Sequence, residues 1–305
     1  MTAVSECWPK TAFGLDDVLT RHLRWNEQGF AFEIQSSDSE LLEMARRIFV
    51  VQSFEADSKA GRRWRIERVN DSGLEKWLVS GVSESSSMIP VAAATRDMAL
   101  LQVEHDSLDW LLHNTAAIVV HAALLTRAGR GVMVVGPSFA GKSTLATALW
   151  RNGWALMSDD LVFIDAQHRI ASPAPRRVSL RFESRRLVGD PLWSAIADTP
   201  SCVKTEKGLF FHPHEVSDSL KPAQTPLSAI FFLARREAAA GPAEVCVINP
   251  AKASLSLVPY AFNVRTQPFV EGLRRVRPLL EHVPAFDLGR GELHAMVEAV
   301  EANAG

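Results

Sequence analysis

The stretch Gly131-Val-Met-Val-Val-Gly-Pro-Ser-Phe-Ala-Gly-Lys-Ser-Thr144 decides the reading of this chain. Residues 131–135 form a continuous β-branched and apolar run, the pattern of a parallel strand covered on both faces. Gly136 to Ser143 then satisfy the pattern glycine, any four residues, glycine, lysine, serine or threonine. After Thr144, residues Leu145, Ala146, Ala148, Leu149 and Trp150 fall at helical spacing, and Gly153 stops the run. Strand, glycine-rich loop and helix in that order make a phosphate-binding loop. Successive N–H groups curl around an anion, and the helix start adds unpaired donors and a positive end. The expected contact set is Gly136, Pro137, Ser138, Phe139, Ala140, Gly141, Lys142, Ser143 and Thr144. Lys142 carries the charge for the β and γ phosphates, and the Ser143 hydroxyl serves Mg²⁺. The plainer alternative is a glycine-rich turn with an exposed lysine, which leaves the strand-loop-helix order to accident. Phe139 is bulky for its place, so its ring is expected to point away from the phosphates, toward the core or a base.

Downstream, Asp159 and Asp160 sit between the extended-looking runs Trp154–Met157 and Leu161–Ile164. Two adjacent carboxylates are costly without a cation or proton partner. A helix and a return strand fit between Lys142 and Asp159, which would bring the pair back beside the loop. One carboxylate would then serve the metal and the other accept a hydroxyl proton. A helix cap or a turn is the plainer reading. Upstream, His121 interrupts the apolar run 116–125, where a histidine is more often a hydrogen-bonded core residue than a catalytic one.

From His121 to Asp160 the sequence resembles the HPr kinase/phosphorylase family, and its divergent HPr-kinase-related members most. The resemblance implies an α/β fold: a phosphate-loop kinase core of the HPr kinase/phosphoenolpyruvate carboxykinase type with a mixed sheet. It implies ATP and Mg²⁺ as cofactors, Asp159 as general base, Asp160 with Ser143 at the metal, and His121 at the active site. Arg176, Arg177 and Arg181 are the candidates for a completing arginine, with Lys204 and Lys207 further off. Each is equally readable as edge-strand decoration. Glu183 is a loose counterpart of the family's Glu-Ile-Arg-Gly glutamate, and the family's later phosphorolysis loop has no clear match. HPr itself as acceptor is therefore not implied. Some relatives with this reduced pattern modify peptides of natural-product clusters.

The rest of the chain bounds that reading. With 305 residues and a net charge of -2, one or two globular domains are expected, without the basic excess of a nucleic-acid binder. Cys7, Cys202 and Cys246 are odd in number and far apart, so neither a disulfide framework nor a paired metal knuckle is expected. Residues 1–11 lack a basic and apolar leader, and the apolar run 115–125 is too short to span a bilayer. A cytoplasmic protein with no membrane partner is expected. Oligomeric state is open, since apolar runs for a core and for a subunit interface look alike.

A small α+β region is expected over 1–105, with strands at 30–34, 64–67 and 77–79, a turn at 70–73 and helices over 39–51 and 98–113. The kinase domain is expected over 106–305. Further strands are expected at 178–182, 227–234, 245–248, 255–258 and 285–288, and helices over 270–280 and at the end of the chain. The small region would recognise the acceptor, with Phe30, Trp64 and Trp77 as its aromatics. His212 and His214 read as a surface turn rather than a metal site. The leading function is ATP-dependent phosphorylation of a hydroxyl on a peptide, protein or small molecule. The alternative is a non-catalytic nucleotide-binding regulator or a slow ATPase.

Overall fold

In the computed structural model the chain divides into two units, residues 1–115 and 116–305. The described residues are 21–27, 29–49, 59–82, 90–174, 177–216, 224–233, 242–289 and 291–304. Among them no helix is long and apolar enough to cross a membrane.

The first unit runs β1 (Arg21–Glu27), β2 (Phe30–Ser36), α1 (Ser39–Ile48), β3 (Lys59–Asp71), β4 (Leu74–Val82), β5 (Val91–Ala93) and α2 (Arg96–Asn114). Its five strands lie in chain order in one sheet. Only β2 and β3 run parallel, and α1 lies between them in sequence, as a parallel pair requires. Asp38 starts α1 by accepting the Glu40 and Leu41 amides, each at 3.1 Å. Trp25, Phe32 and Trp64 stack in the core, with ring centroids 5.5 to 5.9 Å apart. Here one expectation fails: Trp64, Trp77 and Phe30 are 0, 7 and 9% exposed, so they build the core and present no docking surface.

The second unit carries the large sheet. Its strands are β6 (Ile118–Arg127), β7 (Arg130–Val135), β8 (Ala155–Ser158), β9 (Leu161–Asp165), β10 (Ile170–Pro173), β14 (Thr225–Leu233), β15 (Val245–Ile248) and β16 (Ala285–Leu288). The order is β10-β9-β6-β7-β14-β16-β15, with β8 pairing β6. β14 is parallel to β7 and to β16, and the other pairs are antiparallel, so the fold is a mixed α/β one. β14 also pairs with β10 at its start, so five strands return on themselves. A separate three-stranded sheet joins β11 (Val178–Arg181), β12 (Val203–Thr205) and β13 (Gly208–Phe211).

Both faces of the large sheet are covered. One face sets Val132, Val134 and Phe231 against α3 (Lys142–Arg151), α4 (Arg185–Val188), α5 (Asp190–Ala197) and α8 (Leu293–Asn303). The other sets Met133, Val135 and Ile230 against α6 (Pro250–Leu257) and α7 (Phe269–Leu280). That double cover is why β7 is an unbroken apolar run rather than an alternating one.

Residues 255–258 are not a strand. They end α6 and begin a 3-10 turn at Val258–Tyr260. The helix starts at Asn249, whose side chain accepts the Lys252 amide at 2.8 Å, with Pro250 in its first turn. The cap chemistry outweighs the apolar run behind it.

Candidate phosphate-loop site

The loop joins β7 to α3. Gly136 is pressed against β14: a Cβ there would lie 3.1 Å from both Cβ and O of Leu233. Ala140 donates its amide to the Pro137 carbonyl at 3.1 Å, which tightens the turn. Gly141 adopts φ +92°, a left-handed conformation that glycine accepts without strain. Lys142 opens α3 and is only 6% exposed. Its ammonium donates to the carbonyls of Gly136 (2.9 Å) and Pro137 (3.2 Å). Ser138 and Ser143 are exposed, and Thr144 is half-buried.

Phe139 does not turn toward the core. Its ring is 84% exposed, so it points to solvent and not to the core. Its φ is +64°, an uncommon conformation for a bulky residue. The Arg181 guanidinium lies 5.4 Å from the ring centroid, a cation–π contact that ties the end of β11 to the loop.

The two aspartates form the turn between β8 and β9. Ser158 holds that turn: its hydroxyl donates to the Leu161 carbonyl at 2.7 Å and accepts the Leu161 amide at 3.3 Å. The neighbours then diverge. Asp159, 8% exposed, faces β11, where its Oδ2 accepts both the Ser179 amide (3.0 Å) and the Ser179 hydroxyl (2.9 Å). Asp160 faces β6. Its Oδ1 lies 2.7 Å from His121 Nδ1, and its carbonyl accepts from the same nitrogen at 3.0 Å and from the Ala122 amide at 2.9 Å. Both partners of Nδ1 are acceptors, so Nδ1 bears a proton. The Phe262 ring meets the imidazole edge-on at 6.0 Å, and Arg265 lies 4.4 Å from the Phe262 centroid.

Loop and carboxylates meet at Lys142. Burial pushes its ammonium below the ordinary lysine range, and the charges of Asp160 and Asp159 pull it back up. In the sheet, Ala122 of β6 pairs with Val135, the last residue before the loop, and donates its amide to the Asp160 carbonyl at 2.9 Å, so turn and loop are tied to one β6 residue.

The other candidates fall elsewhere. Arg177 is 2% exposed, with Nη1 donating to the Ser201 carbonyl at 3.2 Å, so it is no exposed edge decoration. Arg176 and Cys7 lie outside the described residues. Lys204, Lys207 and Glu183 are exposed. His212 is not on a surface turn: it is buried, and its ring stacks on His214 at 5.2 Å. Among the described residues no three His, Cys, Asp or Glu side chains form a metal-holding group. The donors at the loop, one serine hydroxyl and a carboxylate, fit an ion held mainly by phosphate oxygens and water, as Mg²⁺ is.

Sequence reasoning missed Ser179, Phe262 and Arg265. Ser179 lies 20 residues beyond its carboxylate, and no local pattern marks it.

No family model matches the sequence, and no curated protein matches it. Among solved structures, the HPr(Ser) kinase/phosphatase from Coxiella burnetii aligns with 15% identity and a TM-score of 0.33, over 60% of this chain and 91% of that one. This is a weak, partial likeness.

Proposed function

We propose that this protein is an ATP-dependent phosphotransferase that moves the γ-phosphoryl group to a hydroxyl acceptor. The observation that supports the reading is a strand-loop-helix phosphate cradle with the Asp159–Asp160 turn one strand away, Val135 and Asp160 both joined to Ala122 of β6. A buried lysine, helix-start amides and two adjacent carboxylates in one place are the parts that phosphoryl transfer uses.

In this reading the residues from Gly136 to Thr144 bind the phosphates, and Lys142 leaves its own loop carbonyls to meet them. Asp159 orients the acceptor hydroxyl and takes its proton as the oxygen attacks the γ-phosphorus, and ADP departs. Ser143 and Asp160 would hold Mg²⁺, which when bound neutralises charge on the transferring group. His121 orients Asp160 through Nδ1. Arg181, on the loop's exposed side, is the arginine best placed to meet the acceptor or the nucleotide. The first unit contributes none of these residues. We assign it to acceptor recognition through its polar surface, since Phe30, Trp64 and Trp77 are buried.

The test compares Asp159→Asn with the parent. ATP affinity should stay within about threefold while phosphoryl transfer, to an acceptor or to water, falls by about 10² or more, the range for loss of a general base. If both proteins release phosphate from ATP–Mg²⁺ at the same rate, the protein is a nucleotide binder and not this enzyme.

A further inference from the structure

We infer that Ser179 is a positioning residue for the Asp159 carboxylate, aiming it by two hydrogen bonds to a single oxygen. The inference rests on the reading of Asp159 as general base and adds a residue that holds its direction. Ser179 donates its amide (3.0 Å) and its hydroxyl (2.9 Å) to Oδ2. Rotating the carboxylate away breaks both bonds at once.

The strand behind Ser179 is fixed. Val178 and Leu180 are 3 and 4% exposed and point into the core, so strand alternation turns Ser179 to the opposite side, toward the aspartate. β13 pairs with β11 along its whole length, Ser179 facing Phe210. The pairing ends at Gly208, where a Cβ would lie 2.1 Å from the Leu180 carbonyl oxygen, so only glycine allows that approach. Two residues on, Arg181 grips Phe139. One short strand thus touches both the carboxylate and the phosphate loop.

The experiment follows the Ser179 amide by NMR in ¹⁵N-labelled protein and compares the kinetics of two variants. Ser179→Ala removes the hydroxyl donor and Ser179→Thr retains it. The Ser179 amide proton donates to a carboxylate oxygen and should move upfield in Asp159→Asn, where the acceptor is neutral. With ATP–Mg²⁺ and water as acceptor, kcat should fall about tenfold in Ser179→Ala, with KM for ATP within twofold and recovery in Ser179→Thr. A Ser179 amide unmoved in Asp159→Asn overturns the inference, and so does a Ser179→Ala kcat within twofold of a parent that turns over faster than Asp159→Asn. A moved amide in a parent that hydrolyses ATP no faster than Asp159→Asn supports the contact and removes the phosphotransferase reading instead.

Discussion

Lys142 shows how much a single buried charge constrains this site. Its ammonium is depressed by burial, with Asp160 and Asp159 opposing that effect. A lysine whose folded pKa lies below its unfolded one weighs against the fold at neutral pH, and the penalty fades as pH rises toward the ordinary lysine range. Lys142→Met should therefore leave the protein as stable or more stable at pH 7, by up to about 1 kcal/mol, while ATP affinity falls at least about tenfold. Thermal melts at pH 7 with and without ATP–Mg²⁺ check both halves: a melting temperature that ATP still raises to the parental extent would contradict them. Phe139 makes the complementary case. Its ring is exposed and its backbone left-handed. Glycine at this position relieves backbone strain of about 1 kcal/mol, and that roughly offsets the lost contact to Arg181. Phe139→Gly should thus be neutral to within about 1 kcal/mol in urea unfolding. Phe163→Ala, at a position 1% exposed on β9, should cost about 3–5 kcal/mol.

At the scale of elements, the parts with a local signal were legible and the parts without one were not. The run 131–135, the loop and α3 are written in consecutive residues, because their periodicity and glycine placement are local. The β3–β4 hairpin was legible from its turn, where Gly73 donates to Asn70 Oδ1 at 3.0 Å. The helix at 255–257 was misread because its deciding cap lies six residues upstream, at Asn249. The β12–β13 pair escaped notice because Lys204 and Thr205 interrupt any alternation there. At the site, the loop and the aspartate pair could be read off the chain. Ser179, Arg181 over Phe139 and Phe262 against His121 could not, since each contact joins segments whose residues carry no mutual pattern. Asp38 gives the element-scale prediction. It caps α1 and accepts Arg96 Nε (2.7 Å) and Trp77 Nε1 (3.1 Å). Burial raises its carboxyl pKa, but the bonds from Arg96, Leu41 and Trp77 outweigh that and hold it below the usual aspartate range. Its contribution is complete above the ordinary aspartate pKa and is lost as pH falls through the lower folded value. Asp38→Ala should cost about 2–3 kcal/mol at pH 7, and the difference from the parent should shrink in urea titrations run toward pH 2.

For the whole molecule, the second unit has its own two-sided core around the large sheet, built from residues 118 onward. We propose that it is a domain in the folding sense. Residues 116–305 expressed alone should unfold cooperatively in urea and bind ATP within about threefold of the full chain, as expected for a unit that carries its own core. A fragment without a cooperative transition would show that residues 1–115 are needed for the fold. If the first unit recognises the acceptor, the fragment should also hydrolyse ATP at the parental rate while losing affinity for any acceptor found.

The turn at Ser158–Leu161 has one more consequence. Asp159 answers to the three-stranded sheet through Ser179, and Asp160 answers to the large sheet through His121. A single peptide linkage therefore bridges the seam between two hydrogen-bonded layers. The separation of the two carboxylates is thus set from both sides, like the gap between the jaws of a pair of callipers, by where each sheet holds its own partner residue.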